Sequence, residues 1–129
     1  MGQKKALPGK ISGVPLGSLP AGLHLMNAVA VSGTNTYTSD TFNAADFDNC
    51  GLEIVFTGTM VGTLEITASI SNSNFIPLTF SPVLSQPTGS NLKYLVNLNQ
   101  FPFPYYQVSY TNASGSGTLD VWSSGKDLN

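Results

Sequence analysis

Arginine does not occur in this chain, and cysteine, histidine and tryptophan occur once each. Without arginine there is no planar, bidentate donor for phosphate, and five lysines are the only fixed positive charges. The folded body is therefore not expected to bind nucleic acid. The single cysteine, Cys50, excludes an intrachain disulfide and fits folding in a reducing cytosol. No apolar run approaches the ~20 residues that span a bilayer, so no transmembrane segment is expected. The opening "MGQKKALPGK" lacks the apolar stretch of a secretion signal, which sets the expectation that the chain is not exported by the standard route.

Charge is scarce as well. Charged residues make up 9 % of the chain, far below the quarter usual in globular proteins. Asn, Ser, Thr and Gly take their place. A neutral surface of hydroxyls and amides suits a protein packed against others, because little self-repulsion keeps copies apart. It equally suits an ordinary β domain with polar loops. Hydrophobic residues reach 41 % over 129 residues, enough for one domain with a real core.

The few charges are unevenly placed. Lys4, Lys5 and Lys10 lie in the first ten residues, whereas all seven acids lie at Asp40 or beyond. A basic tip thus precedes an acidic body; it suits a solvated tail, or contact with nucleic acid, an anionic membrane or an acidic protein surface. Residues 1–22 also carry Gly2, Gly9, Gly13, Gly17 and Gly22 among Pro8, Pro15 and Pro20. That spacing permits no helix, since proline removes donors and glycine adds backbone entropy. Yet Leu7, Ile11, Val14, Leu16 and Leu19 recur through it. An extended N-terminal arm with an apolar side chain every two to four positions is suited to lie on another surface, its own sheet or a neighbouring subunit. Two domains of organisation follow: an arm over residues 1–22 and a body over 23–129.

The body reads as strands. "LHLMNAVAV" (Leu23–Val31) is a β-like run, and "TYTSDTF" (Thr36–Phe42) a weak edge strand. "AADFDNC" reads as a loop. From Gly51 the alternation sharpens: Leu52, Ile54 and Phe56 share one face, then Leu64, Ile66, Ala68 and Ile70, with Glu65, Thr67 and Ser69 opposite. The Gly-bearing "TGTMVG" between them predicts a hairpin loop. "SNSN" is a turn, "FIPLTF" a short edge strand carrying Pro77, and "LKYLVNL" a further strand. "YYQVSYT" sets Tyr106, Val108 and Tyr110 on one face, and "NASGSG" leads into "GTLDVWS", with Leu119 and Val121 inward. "GTLEI" and "GTLDV" are thus expected as second arms of two hairpins. The fold class is all-β, an antiparallel β-sandwich of about eight short strands, jelly-roll-like or Ig-like.

Chemistry is thinly represented. His24 has no carboxylate beside it in sequence and reads as a structural or surface histidine. Cys50 reads as a small buried residue. Asp40, Asp46 and Asp48 offer oxygens at alternate positions, as hard cations require, but without the glycine and distal glutamate of an EF-hand loop. They read as a solvated acidic loop. Glu53 and Glu65 are candidates to face each other across the first hairpin. Asn112-Ala113-Ser114 has the form of a glycosylation sequon. Phe103, Tyr105 and Trp122 are possible surface aromatics, able to stack on a sugar ring or to anchor an interface. No catalytic, metal or cofactor residues are assigned.

The stretch from Gly51 to Lys126 resembles a recurrent type of small phage virion protein. The resemblance rests on "GTMVGTLEITASISNSNF", a G-x-x-x-G-T-L turn leading into a strand that ends in Ser-Asn and an aromatic, and on "YYQVSYTNASGSGTLDV". Gln107 stands where that type usually carries arginine. The resemblance implies a β-sandwich on a viral particle, as capsid decoration, vertex or tail-associated protein. The expectation is a non-enzymatic structural protein of the virion, made in the host cytoplasm. Its body would form a homo-oligomer. Its arm (Lys4, Lys5, Leu7, Lys10, Ile11, Val14, Leu16 and Leu19) would hold it to the major capsid protein or another virion protein. The alternative is a carbohydrate-binding or receptor-binding β-sandwich module.

Overall fold

A computed structural model describes residues 23–81 and 83–126. The arm expected over residues 1–22 lies outside the described residues. These form nine strands and no helix: β1 (Leu23–Val31), β2 (Thr36–Thr38), β3 (Phe42–Asn43), β4 (Asn49–Gly58), β5 (Val61–Ser69), β6 (Ile76–Pro77), β7 (Lys93–Asn97), β8 (Tyr105–Ser114) and β9 (Gly117–Lys126). Two antiparallel sheets pack face to face. One has the order β1-β9-β4-β7, and the other β2-β8-β5-β6, with β3 also paired to β8. The edge strand expected over Thr36–Phe42 is thus broken into two short pieces, and the one expected over Phe75–Phe80 shrinks to Ile76–Pro77.

If β2 and β3 count as one interrupted strand, eight strands remain. Their connections cross from one sheet to the other at every step except β5 to β6. That is jelly-roll connectivity, and it decides between the two sandwich types expected.

The same connectivity corrects the two expected hairpins. β4 and β5 are consecutive but lie in different sheets, as do β8 and β9. "TGTMVG" and "NASGSG" therefore carry the chain across the sandwich instead of folding it back within a sheet. The two crossings run side by side. Thr59 N–H donates to the Ser116 carbonyl at 2.9 Å, and Gly58 pairs with Gly117 at the ends of β4 and β9. A Cβ on Gly117 would stand 1.7 Å from the Thr57 carbonyl oxygen, and one on Gly115 1.8 Å from that of Thr59. Both glycines are required because two backbones touch there. Each copy of Gly-Thr-Leu starts a strand just after such a crossing, one in each sheet.

The core lies between the sheets. Leu52, Ile54, Phe56, Leu64, Ile66, Tyr106, Val108, Leu119 and Val121 are all buried, as their alternation requires. Phe56 meets Tyr110 edge-to-face at 4.9 Å across the gap. The alternation fails at the end of β5. Ile70, expected inward, is 75 % exposed, whereas Thr67 and Ser69, expected outward, are buried. The turn begins earlier than the pattern suggests: the Ser69 hydroxyl accepts from Asn72 N–H at 2.9 Å, and Ile70 is carried outside. Thr67 lies between Pro77 and Gln107 on the two flanking strands, and its hydroxyl donates to the Gln107 carbonyl at 3.4 Å.

Candidate functional site

The outer face of the four-stranded sheet carries the most distinctive side chains. Leu52, Ile54 and Val121 point into the core, so Glu53 and Trp122 point out. On β7, Val96 is buried and Leu95 stands out, 87 % exposed. Cross-strand register places these residues side by side: Leu95 opposite Glu53, Glu53 opposite Trp122, and Trp122 opposite His24. One transverse row therefore reads Leu95–Glu53–Trp122–His24. It borders a trough of about 710 Å³ whose lining includes Gly51, Asn49, Asn97 and Lys126.

The His24 end of the row is tightly built. The imidazole stacks on the Trp122 indole with centroids 3.6 Å apart and planes 11° from parallel. His24 Nε2 lies 2.9 Å from Asp120 Oδ1. A carboxylate only accepts, so Nε2 carries the proton in this contact. The same oxygen accepts from Ala28 N–H at 2.8 Å. Ala28 has φ 46°, unusual for a residue with a Cβ, and it lies where the β1–β9 register shifts. Asp120 thus fixes both a bulge in β1 and the histidine. Trp122 is left 38 % exposed, with one ring face covered by His24.

Glu53 at the centre of the row has no cation beside it among the described residues. The opposite end of the trough is held by amides. Asn99 Oδ1 accepts from Cys50 N–H at 2.7 Å, and Asn99 Nδ2 donates to Asn49 Oδ1 at 2.6 Å. Cys50 is half-buried there. Burial first, and then the Asp48 carboxylate, raise its thiol above the usual cysteine range.

The other residues singled out from the sequence are dispersed. Lys4, Lys5, Leu7, Lys10, Ile11, Val14, Leu16 and Leu19 lie outside the described residues. Tyr105 opens β8 in the other sheet, and Phe103 packs on Phe101 with centroids 6.4 Å apart, so neither stands on the sheet that carries Trp122. Glu53 and Glu65 do not face each other across a hairpin, because β4 and β5 belong to different sheets. Asp40, Asp46 and Asp48 are exposed, and no group of three His, Cys, Asp or Glu able to hold a metal occurs among the described residues. Asn112 is 1 % exposed, with its amide donating to the Gly33 and Gly115 carbonyls, so the sequon is closed in the folded state. A second apolar site sits on the five-stranded sheet, a groove of about 430 Å³ lined by Ile70, Ile76, Pro77, Leu78 and Phe103. Ile76 is 65 % exposed at that edge.

Two residues that build the site escaped the sequence reading. Leu95 was legible in the alternation of Lys93, Leu95 and Asn97 against Tyr94 and Val96. Asp120 was not legible as the partner of His24, because 96 residues separate them. No helix long and apolar enough to cross a membrane occurs among the described residues. Comparison with protein-family models, curated proteins and solved structures finds no match to this chain.

Proposed function

We propose that this protein is a non-enzymatic structural protein of a virus particle, of the phage type. In this reading the body assembles into a homo-oligomer, and residues 1–22 tether it to the shell or to a neighbouring subunit. One observation carries the assembly reading. The body presents apolar side chains at two separate places, Leu95 with Trp122 on one sheet and Ile70 with Ile76 at the edge of the other. A body that works alone leaves such side chains in water, whereas a subunit set between neighbours covers both. Jelly-roll connectivity agrees by analogy, since capsid proteins use it, although lectins and cupins do as well. The scarcity of charge agrees too.

Electron microscopy of purified particles from the encoding virus tests the reading. The body is expected at repeated, symmetry-related positions, and deletion of residues 1–22 is expected to leave a soluble protein that no longer joins the particle. A full-length protein that stays monomeric and is absent from particles overturns it.

A further inference from the structure

We propose that the outer row Leu95–Glu53–Trp122 is the docking surface for the basic segment Lys4–Ile11 of a second copy of this chain. The inference deepens the tethering part of the proposed function and rests on it. It starts from the chemistry of the row: an exposed leucine, a carboxylate with no cation beside it among the described residues, and a half-exposed tryptophan, on three neighbouring strands. That order asks for a ligand that is apolar, cationic and apolar in turn. The sequence "LPGKI" supplies it in Leu7, Lys10 and Ile11.

The dimensions agree. Leu95 and Trp122 are two strand spacings apart, roughly 10 Å, and Leu7 and Ile11 can stand at most roughly 14 Å apart. Charge agrees at longer range, because the segment carries three of the five lysines and no acid, and the rest of the chain carries all seven acids. Such opposition steers encounter and fixes orientation more than it adds affinity. Lys93 and Lys126 share the outer face, on either side of the row along the strands. They disfavour a cation anywhere but the centre, which helps to set Lys10 over Glu53.

Reach allows a second copy. The stretch Ile11–Gly22 spans at most roughly 40 Å. A body of this size has a radius of gyration of about 13 Å, so that spacer is long enough to cross one body width to a neighbouring copy. It is also long enough to fold back to its own row, which ends at His24 beside Leu23. The proposed assembly assigns the contact to the neighbour. Repeated around a ring or across a shell, the contact would link each copy to the next.

Cross-linking of full-length protein tests this. In a Cys50→Ser background, chains with Lys10→Cys are mixed with chains carrying Glu53→Cys, or with chains carrying Glu65→Cys on the other sheet. The Lys10–Glu53 pair is expected to form disulfide-linked dimers at least about tenfold faster than the Lys10–Glu65 pair, because docking raises the local concentration of the two thiols. Equal rates overturn the proposal. So does a chain carrying both Lys10→Cys and Glu53→Cys that links only within itself. Charge exchange gives a second readout: Glu53→Lys should weaken self-association, and adding Lys10→Glu should restore part of it. Unchanged self-association in Glu53→Lys also overturns the docking. Particle incorporation that needs residues 1–22, with equal cross-linking rates, would overturn the docking and leave the proposed function standing. Fast Lys10–Glu53 linkage in a protein absent from particles would do the reverse.

Discussion

Asp120 holds His24 and Ala28 with a single carboxylate oxygen, at 2.9 and 2.8 Å. The first contact keeps the imidazole against Trp122, and the second secures the backbone of a bulge with a strained φ. Asp120→Ala is expected to cost about 1–3 kcal/mol, since it leaves the Ala28 N–H and the His24 ring without their acceptor. Asp120→Asn keeps an acceptor and should cost less. Denaturant titration gives both values, and the fluorescence of the single tryptophan should shift with His24→Ala, because the stack is lost. Equal stabilities for the two Asp120 variants would show that the carboxylate does not hold the bulge.

The two crossings give a contrast between glycines. Gly115 has φ 80° and Gly117 lies on the Thr57 carbonyl, so alanine at either position must push two backbones apart. Each is expected to lose about 3 kcal/mol or to prevent folding. Gly89 also has positive φ, at 145°, but no atom lies within 4 Å of its absent Cβ. Gly89→Ala should lose only the local backbone term, about 1–2 kcal/mol. Thermal melts of the three variants check the ranking.

The end of β5 separates burial from pattern. Ile66 is 1 % exposed and Ile70 75 %. Ile66→Ala is expected to cost ~2–5 kcal/mol, and Ile70→Ala less than about 0.5 kcal/mol. A matched loss at both sites would mean that β5 continues inward through Ile70.

These cases mark where the sequence was readable. Period-two alternation identified β4, β5, β8 and β9 with their core faces, because each has one face in oil and one in water. It did not tell a hairpin from a crossing, since glycine and threonine mark a turn in either case. The choice depends on which strands meet at long range, such as β4 with β9 and β5 with β8. The outer row had the same limit. Glu53 and Trp122 each pointed outward on local pattern, but their adjacency, and that of His24 with Asp120, comes from register alone.

Alkaline pH should destabilise the body. Burial first, and then the neighbouring Tyr94 phenol, hold the Tyr110 hydroxyl above the usual tyrosine range, and burial raises Tyr94 and Tyr106 in the same direction. A phenol with a raised folded value stays neutral in the fold after it has ionised in the unfolded chain. Its contribution is therefore full below about pH 10 and is lost as pH rises through the folded value. Urea midpoints in a Cys50→Ser background, which removes the thiol that titrates nearby, should fall above pH ~10. Tyr110→Phe should shrink that fall. A midpoint that stays flat into strong alkali would exclude the burial effect.

Asn112 is the most connected polar side chain at the crossings. Its Oδ1 accepts from the Tyr110 hydroxyl at 2.9 Å, and its Nδ2 donates to the Gly33 carbonyl at 2.7 Å and the Gly115 carbonyl at 3.0 Å. One amide thus ties the β1–β2 turn to the β8–β9 crossing. Asn112→Ala leaves two carbonyls and a phenol short of partners and is expected to cost about 2–4 kcal/mol. Asn112→Asp is nearly isosteric yet should cost more at neutral pH. It replaces the donating end with an oxygen aimed at two carbonyl oxygens, and it buries a charge without a cation. Acid should recover part of that loss, because a protonated carboxyl regains one donor. The sign follows from linkage: the folded state raises the introduced carboxyl above its unfolded value of about 4, so the penalty is present at neutral pH and fades as pH falls through the folded value. Chemical denaturation of both variants between about pH 4 and 8 checks this. An aspartate variant as stable as wild type at neutral pH would mean that the side chain faces the other way, with its oxygen and nitrogen exchanged.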